Sequence, residues 1–147
     1  MHPLAAVAIF VALALLLAIG ALWSKRYGGY MPEPYRSRPC QGAAWKRRFP
    51  DASKVEIRVF LREFTEGFAF RESQKLQVGP EDEILTVYRT LYPKLGGMDA
   101  LEMETFAKHV ERRYQVRFSE IWSETLTFGQ LFGSCQSASR LRATSEA

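Results

Sequence analysis

Residues 99–132 read DALEMETFAKHVERRYQVRFSEIWSETLTFGQLF, and this stretch decides the fold. Met103, Phe106, Ala107, Val110 and Tyr114 recur at three- and four-residue steps, the period of one helix face. Glu102, Glu104, Lys108, Glu111, Arg112 and Arg113 fill the rest of the circumference, and Asp99 is a good N-cap for this amphipathic helix. Past Gln115, the alternation Val116-Arg117-Phe118 returns two apolar side chains to the core, and Ser119 is placed to cap a short turn holding Ile121 and Trp122. Thr127-Phe128-Gly129-Gln130 has the form of a capping box, opening a last helix with Phe128, Leu131 and Phe132 inside.

Working upstream, Phe60, Leu61, Phe64 and Phe68 step as a helix, although Val55, Ile57 and Val59 alternate as a strand would. The interleaved Arg58, Arg62, Glu63 and Glu66 favour the helix. Residues 71–78 are polar and read as a loop. Pro80 suits the first position of a helix, with Glu81, Asp82 and Glu83 at its positive end and Ile84, Val87, Tyr88 and Leu91 on its apolar face. Lys94 to Gly97 is a turn leading to Asp99. The expectation is an all-α bundle over residues 55–135 with a flexible tail at 136–147.

Residues 4–23, LAAVAIFVALALLLAIGALW, carry no charge. As a helix they span about 30 Å, the thickness of a hydrocarbon core, so residues 1–23 read as a single transmembrane anchor. Absent basic residues ahead of the run argue against a cleaved signal peptide. Lys25, Arg26, Arg36, Arg38, Lys46, Arg47 and Arg48 follow the run, which by the positive-inside rule places the N-terminus outside and the rest in the cytoplasm. Residues 24–54, broken by Pro32, Pro34, Pro39 and Pro50, read as a basic linker. Residues 1–50 hold seven Lys and Arg against one acid, whereas residues 51–147 hold thirteen against fifteen. The linker, with Tyr27, Tyr30, Tyr35, Trp45 and Phe49 among its cations, is therefore suited to an anionic lipid surface as well as to fixing topology. Nucleic acid is not expected as a partner, because no basic stripe continues into the domain.

Residues that could carry chemistry are few. His2 and His109 are the two histidines, with no second ligand at metal spacing, so His109 reads as a solvated helix residue and no metal is expected. Cys40 and Cys135 form no CxxC and read as free thiols. Phosphate-loop, nucleophile-elbow and zinc signatures are all missing, so the chain does not read as an enzyme.

The order of parts from Asp99 onward resembles the second half of an acyl carrier protein. Asp99-Ala100-Leu101, the helix ending in Tyr114, the pair Val116 and Phe118, and Leu126-Thr127-Phe128-Gly129-Gln130-Leu131 carry the likeness. It spans residues 55–133 and is informative from Asp99 on. The resemblance implies a small helical bundle whose second main helix faces a protein partner, which makes Asp99, Leu101, Glu102, Glu104, Lys108, Glu111 and Arg112 the candidate binding residues. Two features depart from the family. Ala100 occupies the position of the phosphopantetheine-bearing serine, so the resemblance here implies no cofactor arm. The connection between the first two main helices is also longer and more helical. Lys108, Arg112 and Arg113 dilute the usual acidic face, and a plain solvated surface with pairs such as Glu104–Lys108 accounts for the same residues.

The functional expectation is a membrane-anchored, non-catalytic binding protein. Two rivals are an accessory single-span subunit packing through Ala5, Ala8, Ala12 and Gly20, and a true carrier modified elsewhere. Ser73, Ser119 and Ser123 are the nearby serines, and none stands between Asp and Leu.

Overall fold

Ser53 and Glu56 begin the first long helix by a reciprocal exchange. The Ser53 hydroxyl accepts from the Glu56 N–H at 3.1 Å, and the Glu56 carboxylate accepts from the Ser53 N–H at 2.7 Å. The computed structural model describes residues 11–20, 29–91 and 101–145, and these are mostly helical. Beyond a helical stretch at 11–20, the elements are α1 (Gly42–Arg48), α2 (Lys54–Gly67), a 3-10 helix (Glu72–Gln77), α3 (Ile84–Leu91), α4 (Leu101–Tyr114), the short α5 (Phe118–Ile121) and α6 (Phe128–Ser145).

The core is aromatic. Trp45, Phe60, Phe64, Phe106, Phe128 and Phe132 are all fully buried. The Phe64 ring meets Phe128 edge-on at 4.7 Å and Phe106 at 5.8 Å, while Phe132 stands edge-on to both Trp45 and Phe49, which stack on each other. α2 lies against α4 so closely that a Cβ on Gly67 would stand 2.8 Å from the Phe106 Cα. α6 enters through the expected capping box: the Gln130 side chain accepts from the Thr127 N–H at 3.0 Å, and the Thr127 hydroxyl accepts from the Gln130 N–H at 3.1 Å. Its first turn is joined to the segment before α3 by backbone bonds, from the Gly129 N–H to the Pro80 carbonyl and from the Phe128 N–H to the Asp82 carbonyl.

Several expectations are corrected. Among the described residues no helix is long and apolar enough to cross a membrane. That overturns the transmembrane anchor read over residues 4–23, and with it the single-pass topology and membrane localisation. The helical stretch described in that region is residues 11–20. Residues 4–10 and 21–23 lie outside the described residues, as do the turn at 94–97, Asp99 and Ala100. Residues 72–77 are a 3-10 helix rather than loop, and α6 runs through Ser145 where a flexible tail was expected. Pro80 to Glu83 precede α3 instead of opening it.

The segment read as linker packs onto the bundle. Met31, Tyr35 and Trp45 are buried, and the Trp45 indole N–H donates to the Val78 carbonyl at 2.8 Å. Among the described residues, several of its cations are held by the protein itself. Arg38 pairs with Asp82 at 2.6 Å, and Lys46 donates to the Pro50 and Ala52 carbonyls. Arg36 pairs with Glu33. Tyr35 reaches the core from a turn and Trp45 from helix α1.

Truncating Trp45→Ala should therefore cost about 3–5 kcal/mol in urea unfolding of the full chain, as should Phe106→Ala. A loss under about 1 kcal/mol would remove either side chain from the core. Gly67→Ala should also destabilise, by about 1–3 kcal/mol, because the methyl would meet backbone and not a yielding side chain.

Candidate functional site

α4 presents one outward line of side chains at helical spacing. Leu101 is 63% exposed at its head, and Glu104, Lys108 and Arg112 follow, each exposed. Phe106 and Val110 hold the opposite side in the core. Two candidates from sequence do not belong to this line. Glu102 is half-buried, and the Glu111 carboxylate turns back to accept the Phe118 N–H at 2.8 Å. Glu111, and not Ser119, thereby satisfies the start of α5, whose preceding residue offers no side-chain cap. The serines weighed as alternative carrier sites, Ser73, Ser119 and Ser123, are all exposed.

A second constellation lies where α2 meets α4. Glu63 has a side chain only 8% exposed, and the Arg113 Nε donates to its Oε1. The other carboxylate oxygen is 3.6 Å from the His109 Nδ1, too far for a hydrogen bond. That Nδ1 is buried and has no hydrogen-bond partner. Glu66, one turn along α2, is exposed, and a shallow cleft is lined by Glu63, Glu66, His109, Arg112 and Arg113. One donor atom each from Glu63, Glu66 and His109 lie within 4.8 Å of one another. His109, expected in solvent, is thus drawn to the helix interface. The signal in the sequence was Gly67, one turn from Glu63: a residue without a side chain lets α4 close over the preceding turn.

The thiols are both free, Cys40 exposed and Cys135 buried. Burial pushes the Cys135 thiol up to about 12, and burial likewise raises the Tyr114 phenol beside it. Since the fold favours the neutral thiol, its contribution to stability is full below the ordinary thiol range and is lost as pH rises towards 12.

No family model matches the chain, and neither a curated protein nor a solved structure matches it.

The ion pair is asymmetric in burial, because Arg113 is 48% exposed while Glu63 is not. Removing the cation strands a buried carboxylate; removing the carboxylate releases an arginine that can turn to water. Arg113→Met should accordingly destabilise by about 1–3 kcal/mol, more than Glu63→Gln, when the two are compared by chemical unfolding. Titrating the native chain with a thiol reagent at neutral pH should label Cys40 quickly and Cys135 only after denaturant is added.

Proposed function

We propose that this chain is a non-catalytic binding protein, an acyl-carrier-like helical domain without a phosphopantetheine arm, and that it engages a protein partner through the outer line of α4. The observation that carries this reading is Leu101. A large aliphatic side chain 63% exposed at the head of the helix, with Glu104, Lys108 and Arg112 behind it, combines an apolar anchor with charges of both signs. Such a pairing suits recognition of a partner having a small apolar pocket rimmed by charge. Ala100, at the position where carrier proteins have their modified serine, offers no hydroxyl for a phosphodiester. The alternative of a carrier modified elsewhere has exposed serines available but no Asp-Ser-Leu context for any of them.

Two measurements test the proposal. Co-expressed with a broad-specificity phosphopantetheinyl transferase, the chain should keep its unmodified intact mass; an increment matching phosphopantetheine would overturn the reading in favour of a carrier. Retention of the native partner should fall at least about tenfold in the double variant Leu101→Asp/Lys108→Glu, at unchanged helicity. Val55→Asp, on the exposed side of α2, should leave it unaffected. Equal retention by all three proteins would show that α4 is not the binding face.

A further inference from the structure

We propose that Glu63, Glu66 and His109 form a binding site for a divalent transition-metal ion of the zinc class. The three side chains come from two helices locked together at Gly67 and Phe106, so the site is held by the core and not by a loop. Zinc bonds of about 2.0–2.2 Å to oxygen and about 2.0–2.1 Å to nitrogen set two donors on one tetrahedral ion roughly 3.4 Å apart. The His109 Nδ1 and Glu63 Oε2 stand 3.6 Å apart, a separation poor for a hydrogen bond and close to that of two ligands sharing an ion. The second observation is the Nδ1 atom itself, which is shut from solvent on a side chain 20% exposed and, among the described residues, has no hydrogen-bond partner; an unpaired buried ring nitrogen is costly unless something fills the place. Glu66 completes the set: its donor atom is within 4.8 Å of the others, and its side chain is exposed.

Donor type and orientation agree with this assignment. Two carboxylates and an imidazole make a mixed oxygen and nitrogen set of the kind that suits zinc, cobalt or manganese. The Arg113 bond goes to Oε1, leaving Oε2 towards His109, so the guanidinium orients the carboxylate from the outer shell without occupying the ligand position. Arg112, which lines the same cleft, is exposed and free to extend into water as the ion enters.

The test uses the full chain, stripped of metal and titrated with Zn²⁺ against a chromophoric chelator, with Co²⁺ as a spectroscopic probe. One ion should bind per chain, and the cobalt complex should show visible bands of tetrahedral type. His109→Ala and Glu66→Gln should each weaken zinc binding at least about tenfold and abolish those bands. His2→Ala should change neither, which separates this site from one made by His2 with the N-terminal amine. Glu66 is exposed, so its variant decides the matter even if His109→Ala perturbs folding. No uptake in competition with the chelator, or uptake unchanged by Glu66→Gln, would overturn the assignment.

Discussion

The contact between Gly67 and Phe106 is the constraint on which the rest of the structure depends. Because Gly67 has no side chain, the backbones of α2 and α4 approach until hydrogen takes the space of a methyl group. The two helices run antiparallel from that point. One turn back from Gly67, Glu63 faces His109 and Arg113; one turn further, the Phe60 ring lies 6.3 Å from that of Tyr114. A bulkier residue at 67 would spread the helices, hydrate Glu63 and loosen the aromatic contacts of Phe64 and Phe106 together. Core packing and the ionic cluster are therefore consequences of one close approach.

Polar backbone is handled by exchange between segments far apart in sequence. The Ile84 N–H donates to the Leu126 carbonyl, and the N–H groups of Phe128 and Gly129 return bonds to Asp82 and Pro80. The orphan donors at the start of α6 thus find carbonyls in the turn before α3, as buried helix ends require. Asp82 also accepts from the Gly79 N–H and from Arg38, which ties this turn to the upstream segment. A positive segment that could have suggested a lipid or nucleic-acid surface instead has several of its charges compensated inside the fold.

The parts legible in the sequence are those governed by local period and local hydrogen bonds. The stripe through Phe106 and Val110 is buried, and the Thr127–Gln130 box forms with both bonds. The Ser53–Glu56 box is of the same local kind, since both of its bonds lie within four residues. Illegible were features made by distant residues. Nothing near Trp45 announces that its indole will donate to Val78, and nothing near Glu63 announces His109. Glu111 looked like surface charge, yet its acceptor is needed seven residues on at Phe118. The apolar run at residues 4–23 suggests a span, yet among the described residues no helix is long and apolar enough to cross a membrane.

The bonds that hold the upstream segment have a consequence for how the chain reaches this fold during synthesis. Met31 bonds to Gln74, Arg36 to Gln77, Arg38 to Asp82 and Trp45 to Val78, separations of 43, 41, 44 and 33 residues. Trp45 also packs on Phe132, near the far end of the chain. None of these partners has emerged when residues 31–45 leave the ribosome. At about 5–20 residues per second, several seconds pass before Asp82 emerges and several more before Phe132 follows. For that interval Met31, Tyr35 and Trp45 are apolar surface without the core that later buries them.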